Sequence, residues 1–187
     1  MGTQLVWLKR DLRIEDHAPL AEAAAAGPCV VLYVYEPEVV AHSHADPAHL
    51  AFVNQSLAEL ERRLEERGGR LTRLHGELPG VFDRLHHEHP FEAIWSHEET
   101  GNDTTYQRDR RVRRWCRQRG VAWHERRQTG VVRRLPSRDG WARRWHRLMN
   151  QPIVEPPERI TPADGVRRLG EQTAADLGLP ATTMTRA

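Results

Sequence analysis

Short apolar segments alternate, along residues 1–130, with segments whose apolar residues recur at helical spacing. Residues 5–8 (Leu-Val-Trp-Leu) are all apolar, as expected of a strand that is buried on both faces. In residues 53–64 the apolar positions instead recur every three or four residues, which predicts an amphipathic helix. This alternation is typical of βαβ units and therefore predicts an α/β fold.

The same pattern predicts strands at residues 5–8, 29–34, 71–74, 93–95 and 121–123, with helices at residues 19–26, 53–64, 78–87 and 103–119. Asp103 is the predicted N-cap of the last helix. Right-handed crossovers place helices on both faces of such a sheet. We therefore expect a Rossmann-like, open five-stranded parallel sheet with strand order 3-2-1-4-5.

A ligand crevice is expected at the carboxyl ends of the strands, at the topological switch point. With this strand order it is lined by residues 9–16, 36–46 and 97–102. The first of these loops has none of the glycine patterns that hold phosphates in dinucleotide-binding and P-loop proteins. Its alternating charges fit a ligand rim or an ion-pair network that fixes the turn, and the residues alone favour the network.

The sequence indicates no self-contained catalytic site and no metal centre. Several histidines lie close together without the spacing of metal ligands: His42, His44, His86, His87 and His89. Glu98 and Glu99 are adjacent on one segment, so their side chains should diverge.

Cysteine content and hydropathy indicate the cellular compartment in which the protein is expected. Cys29 and Cys116 have no metal or redox spacing, so we expect two buried thiols and a reducing cytoplasm. No apolar run approaches the ~18 residues of a membrane-spanning helix. The first four residues lack the basic and apolar regions of a signal peptide.

Arginine is concentrated in residues 101–150, which hold 15 arginines and four acidic residues, although the net charge of the chain is only +2. Such a block attracts phosphates or an acidic partner surface. A solvated helix face in an arginine-rich protein is the alternative, and helix surfaces are usually charged.

The chain divides into three predicted parts. Residues 1–130 form the α/β domain. Residues 131–150 comprise an extended segment and a short helix, on which Trp141 and Trp145 share one face because they are four residues apart. Prolines at positions 152, 156, 157 and 162 predict that residues 151–187 form a linker or tail.

Several segments resemble the photolyase/cryptochrome family, in the order that the family has them. The most specific is WLKRDLRIEDHAPL at residues 7–20, which combines a strand, a charged turn and a helix start. The others are LYVYEPE at 32–38, WSHEETG at 95–101 with YQRD at 106–109, and GVVRRL at 130–135 with RDGW at 138–141 and Trp145. The last group is similar to one bacterial branch of the family.

The resemblance implies the N-terminal α/β domain of a bacterial flavoprotein. Family members join this domain, which in some holds a folate or deazaflavin antenna pigment, to a helical domain that binds FAD and receives the damaged DNA. Excited reduced flavin splits pyrimidine dimers in the repair enzymes, whereas other members sense blue light. The motifs of the helical domain do not occur before Ala187. We therefore expect this chain by itself to hold no FAD tightly and to lack photolyase activity.

The resemblance and the crevice together imply candidate site residues. The antenna candidates are Lys9, Arg10, Asp11, Glu36, Glu98 and Glu99. The candidates for a surface facing the FAD-binding domain are Arg134, Trp141 and Trp145. One departure lies near the antenna, where Pro47 and His49 occupy the positions of a Ser-x-Arg pattern that is common in the family.

Two other protein classes fit parts of the sequence. A stand-alone nucleotide-binding domain of the universal-stress type needs a glycine-rich phosphate loop after the fourth strand, where the segment offers Gly101. A basic interaction module that docks RNA or an acidic partner would lose affinity steeply with salt. Aromatic side chains along a basic groove would support that module, but Trp115 and Trp123 are expected in the core.

Overall fold

The computed structural model describes residues 2–40, 46–133, 135–166, 170, 172–173 and 175–178. Within them one sheet contains β1 (Gln4–Leu8), β2 (Cys29–Tyr35), β3 (Leu71–His75), β4 (Ala93–His97) and β5 (Ala122–Arg126). The strands are all parallel and lie in the order β3-β2-β1-β4-β5. This confirms the predicted strand order and the central position of β1.

The helices of the described chain are α1 (Ala18–Ala26), α2 (Pro37–Val40), α3 (Pro47–Glu65), α4 (Gly80–Glu88), α5 (Asp103–Arg119) and α6 (Trp141–Met149). Helix α3 begins well before the predicted residue 53, because Asp46 caps it and Pro47 occupies its first position. The one-turn helix α2 was not predicted. None of the described helices has the length and apolarity that a membrane span requires.

The core lies on both faces of the sheet, as predicted. On the side of α4 and α5, Trp7 contacts Phe82 edge-on, and Phe82 contacts Trp115. On the other side Val6 belongs to a second buried cluster with Leu57 of α3. Successive residues of a strand point to opposite faces, so the all-apolar sequence of β1 supplies both clusters. Cys29 and Cys116 are free and buried, as expected.

The start of α5 differs from the prediction by one residue. The side chain of Asn102 accepts a hydrogen bond from the backbone N–H of Thr105 at 3.1 Å, so Asn102 is the N-cap. The prediction that Asp103 caps the helix was wrong, because Asn and Asp cap equally well and two candidates stood side by side. Asp103 is the first helical residue, where a negative charge is favourable.

The proline-containing segment after α6 packs against the α/β domain. The side chain of Ile160 is only 1 % exposed and belongs to the core cluster on the α3 side. Its neighbours pair with the start of β2, since the N–H of Cys29 donates to the carbonyl of Thr161 and the N–H of Ala163 donates to the carbonyl of Cys29. Packing contacts of the domain therefore continue beyond residue 150.

Candidate functional site

A cavity of about 620 Å³ opens at the carboxyl ends of β1 and β2, in the crevice expected from the strand order. Its apolar wall is formed by strand ends and by α2 and α3: Leu8, Leu12, Tyr33, Val34, Val39, Val40, Leu50, Phe52 and Val53. Four buried charged side chains also line it: Lys9, Glu36, Glu99 and Arg108. An apolar pocket with a few polar groups is the usual form of a small-molecule site.

Arg108 connects these charged groups. Its guanidinium, with the side chain 3 % exposed, donates to Glu36 at 2.8 Å and to Asp109 at 2.9 Å, and it also pairs with Glu99. Burial by itself would lower the pKa of Arg108, but the three carboxylates raise it above the ordinary value. A permanently charged arginine thus holds the floor of the cavity together.

Glu36, directly after β2, is the least satisfied member of this group. One carboxylate oxygen accepts the hydrogen bond from Arg108. The other, Oε2, is buried and has no hydrogen-bond partner within the described residues. Burial raises the pKa of Glu36 to about 7, against the opposing charge of Arg108.

Lys9 and Arg10 border the cavity in different ways. The ammonium group of Lys9 lies 3.5 Å from a carboxylate oxygen of Asp109 and 4.2 Å from the centre of the Trp7 ring. Burial lowers the pKa of Lys9. Arg10 is exposed at the rim and pairs with Glu99 at 3.2 Å. The charges after β1 therefore form an ion-pair network and border a cavity at the same time.

Asp11 lies beside the cavity rather than in its wall. Its carboxylate accepts hydrogen bonds from the backbone N–H of Lys9 at 2.8 Å and from Nδ1 of His97 at 2.6 Å. Nε2 of His17 lies 2.9 Å from Oδ2 of Asp11, the oxygen that also contacts His97. Burial by itself would raise the pKa of Asp11, but these two histidines hold it well below the ordinary value. Asp11 thus fixes the turn after β1.

The same three residues are the one group in the described chain whose potential metal-ligand atoms lie within 4.8 Å of one another: Asp11, His17 and His97. Nδ1 of His17 accepts the N–H of Leu20 at 3.1 Å, so its Nε2 carries the ring proton and has no lone pair for a metal. The cluster is therefore a hydrogen-bonded anchor. His86, His87 and His89 form no comparable group, and His42 and His44 lie outside the described residues.

The adjacent glutamates point to different places, as predicted. Glu99 lines the main cavity, whereas Glu98 pairs with Arg127 at 3.6 Å and borders a smaller pocket with Gln128. Four antenna candidates thus line the main cavity, namely Lys9, Arg10, Glu36 and Glu99; Asp11 and Glu98 do not. Sequence reasoning missed Arg108, although its position four residues before Val112 places it on the inner face of α5.

A family model described as DNA photolyase matches residues 4–135. The chain belongs to the DNA photolyase family. It corresponds to the N-terminal α/β domain of that family. The matched residues include the whole sheet and the turn that Asp11 fixes, so the photolyase-like opening segment is also the part that builds one wall of the cavity.

Known relatives bear photolyase and cryptochrome names. The chain is 34 % identical over 133 residues to a deoxyribodipyrimidine photo-lyase of Halobacterium salinarum, a match that covers 64 % of this chain and 26 % of that protein. A cryptochrome of Synechocystis sp. PCC6803 superposes with a TM-score of 0.78 at 19 % identity, over 99 % of this chain and 42 % of that one. Universal-stress proteins gain no support from these matches.

A third comparison is a photolyase of Sulfolobus tokodaii, whose structure was determined with two FAD molecules and is described as implying a novel light-harvesting cofactor. It superposes with a TM-score of 0.71 at 17 % identity, over 94 % of this chain and 41 % of that one. The photolyase-family domain described here therefore spans about two fifths of these solved chains and about a quarter of the Halobacterium protein.

Helix α6 presents aromatic side chains to solvent. Trp141 and Trp145 are 41 % and 38 % exposed, and their ring centres are 6.5 Å apart. The indole N–H of Trp141 donates to the carbonyl of Gly130, and the ring of Trp145 covers the same glycine so closely that a Cβ there would clash. Arg134, the third residue predicted for this surface, lies outside the described residues.

Proposed function

We propose that this chain is the α/β domain of a larger flavoprotein, which repairs pyrimidine dimers in DNA with light or senses blue light. In that protein the domain holds an antenna pigment, a folate or a deazaflavin, in the cavity beside Glu36. FAD itself is bound by a helical domain of the parent protein. Damaged DNA is bound by the parent protein and not by this domain alone.

The cavity carries this proposal. It lies at the carboxyl ends of β1 and β2, where open α/β sheets bind their ligands. Its wall is mostly apolar, and buried charged groups stand at one side. The volume of about 620 Å³ suits a fused-ring pigment. The light-harvesting cofactor implied for the Sulfolobus photolyase supports an antenna in this family without identifying the pigment.

Fluorescence titration tests the antenna. Deazariboflavin and methenyltetrahydrofolate are added separately to the purified chain, and quenching or polarisation is followed to high micromolar concentration. Val53→Trp should abolish binding because Val53 lines the cavity and the larger ring fills it. Gln55→Trp is the matched control, since Gln55 is exposed on the same helix. If the wild-type chain binds neither deazariboflavin nor methenyltetrahydrofolate, the antenna function is refuted.

The partner of α6 is proposed to be the FAD-binding helical domain. Exposed paired indoles usually mark a contact surface. They are accompanied by exposed arginines that suit acidic groups on a partner: Arg143, Arg144 and Arg147. On this proposal residues 1–130 are the α/β domain, residues 131–150 carry the contact surface, and residues 151–187 lead towards the helical domain.

The proposed division of functions, with FAD binding and repair assigned to the helical domain, can be tested separately. The purified chain should lose added FAD during gel filtration and should not repair dimers under illumination, because the flavin pocket belongs to the helical domain. Stoichiometric FAD retained after gel filtration, or repair by the chain alone, would overturn this division.

A further inference from the structure

Helix α6 lies on an excursion of the chain, residues 135–153, which we call the arm. No residue of α6 is buried. Among the described residues, the hydrogen bonds of the arm stay within it, apart from the one that the Trp141 indole donates to the carbonyl of Gly130. The position of the arm on the domain therefore depends on the residues at its two ends.

Arg133 fastens the first end of the arm. Its guanidinium donates to Oδ2 of Asp109 at 2.8 Å and to Oε1 of Glu125 at 3.1 Å. A further bond, of 3.0 Å from Nε, reaches the carbonyl of Glu99. The side chain of Arg133 is 22 % exposed, so these bonds are partly shielded from salt and water. One side chain thus joins the start of the arm to α5, to β5 and to the loop after β4.

The turn after β1 fastens both ends. At the first end, the guanidinium of Arg13 donates to the side-chain oxygen of Gln128 at 3.2 Å and to the carbonyl of Asp16 at 3.0 Å. At the second end, the N–H of Asp16 donates to the carbonyl of Val154 at 2.9 Å, and the N–H of Val154 donates to the Asp16 carboxylate at 3.2 Å. The chain before the arm and the chain after it are therefore held by one turn.

The arm carries much of the exposed apolar surface of the described chain. Its exposed large apolar side chains are Trp141, Trp145, Met149 and Ile153, and Val131 lies just before it. Apolar surface of this kind marks a contact with another molecule or domain. A contact surface on an excursion of the chain binds best when it is already held in one orientation, because ordering it during binding costs free energy.

We infer that the arm is a preorganised docking element, and that Arg133 and Arg13 are the positioning residues that hold it in one orientation. The two arginines touch the ends of the arm and the domain, whereas the indoles of Trp141 and Trp145 face outwards. This inference deepens the proposed contact with the FAD-binding domain and rests on that proposal only for the identity of the partner.

Electron paramagnetic resonance measures the orientation of the arm in the purified chain. Nitroxide labels are attached to Arg144→Cys on α6 and to Arg114→Cys on α5, two exposed sites. Cys29 and Cys116 are buried and should not react with the label. We expect one narrow distribution of distances between the two labels, because both ends of the arm are held.

Arg133→Met in this labelled background should broaden the distribution about twofold, since a segment released at one end samples more conformations. Asp109 and Glu125 still pair with other arginines, so the domain should stay folded, which circular dichroism checks. Arg138→Met is the matched control, because Arg138 is an exposed arginine of the arm and takes part in no ion pair of the described chain. It should leave the distribution unchanged.

Arg13→Met tests the second fastening, since it releases Gln128 and the carbonyl of Asp16 and should broaden the distribution as well. A distribution that stays narrow in both Arg133→Met and Arg13→Met overturns the role of the two arginines. A broad distribution in the labelled chain without these changes overturns the arm as a preorganised element. Either result leaves the proposed partner standing, because the distances are measured without it. Stoichiometric retention of FAD by the chain alone would overturn the proposed partner and leave the distances as they are.

Discussion

Arg108 and Glu36 form a buried ion pair, with 2.8 Å between Nη1 and Oε1, although 72 residues separate them in the sequence. The pair joins α5 to the end of β2 and thereby links two sides of the cavity. The same guanidinium also binds Glu99 and Asp109, so three carboxylates converge on one buried cation. Glu36 is the carboxylate that gains least from this arrangement, since one of its oxygens has no described partner.

The buried and poorly satisfied carboxylate of Glu36 predicts that the free energy of unfolding depends on pH. Burial raises the pKa of Glu36 to about 7 from an ordinary value of 4.5, and Glu99 and Glu77 act in the same direction against Arg108. The folded protein therefore keeps a proton that the unfolded chain releases, so this contribution is present at low pH and is lost as the pH rises through about 7. Wild type should lose ~2 kcal/mol relative to Glu36→Gln between pH 5 and pH 8.

Urea unfolding of both proteins at the two pH values measures this change. Glu38→Gln controls for the removal of a carboxyl group from the same segment. A stability difference between wild type and Glu36→Gln that is the same at pH 5 and pH 8 would contradict the raised pKa.

Asp11 is predicted to stabilise the turn after β1. In Asp11→Asn, an amide N–H₂ would face the Nε2–H of His17, whose tautomer is fixed by the hydrogen bond from Leu20 to Nδ1. Two donors would then oppose each other in a buried place, and the free energy of unfolding should fall by ~2–4 kcal/mol at pH 7. Urea unfolding measures the loss. Asp139→Asn, at an exposed site, should change little, and equal effects would argue against the anchor.

The fold was predictable because its signals are local and repeated. The all-apolar sequence of β1 indicates a strand covered on both faces, and the spacing of apolar residues separates helices from strands. Right-handed crossovers then restrict the topology to few arrangements. Four antenna candidates reached the cavity wall because the carboxyl ends of neighbouring parallel strands meet at one edge.

The polar networks were not predictable in the same way. His97 lies 86 residues from Asp11, and the two meet only because β1 and β4 are neighbours in the sheet. Arg108 lies in an arginine-rich part of the sequence. Its side chain is buried and that of Arg110 is exposed, but the two residues are of the same type, so the sequence does not distinguish them. Such contacts depend on which face of a helix a residue occupies and on which strands are neighbours in the sheet. The fact that a residue is charged reveals neither of these.

The segment after α6 offers a test that separates packing from a free linker. Ile160 is buried against Gly69, whereas Ile153 is 72 % exposed. Ile160→Ala should lower the free energy of unfolding by ~2–4 kcal/mol, because it removes buried methyl groups and leaves a cavity. Ile153→Ala, the same change at an exposed site, should leave it within ~0.5 kcal/mol. Equal urea midpoints for Ile160→Ala and wild type would show that this segment does not stabilise the domain.

The last prediction concerns DNA and the arginine block. Seven of the 15 arginines in residues 101–150 pair with acidic side chains of the described chain: Arg108, Arg111, Arg113, Arg119, Arg126, Arg127 and Arg133. In the described chain the following arginines take part in no ion pair: Arg110, Arg114, Arg117, Arg138, Arg143, Arg144 and Arg147. Such charges attract any polyanion, but nothing about their placement on α5, on α6 and just before α6 provides contacts that recognise a base or a lesion.

Duplex DNA should therefore bind the isolated chain with a Kd of roughly 10⁻⁴–10⁻⁶ M at physiological salt, and a thymine dimer should not improve it. Fluorescence anisotropy of labelled duplexes with and without the dimer measures both values, and repetition at higher salt should weaken them alike. Replacing Arg143 and Arg147 by Glu should reduce this affinity without creating a preference. Nanomolar binding to the dimer-containing duplex would instead mean that the α/β domain recognises lesions by itself, and α6 would then be better explained as a DNA surface than as a contact with the helical domain.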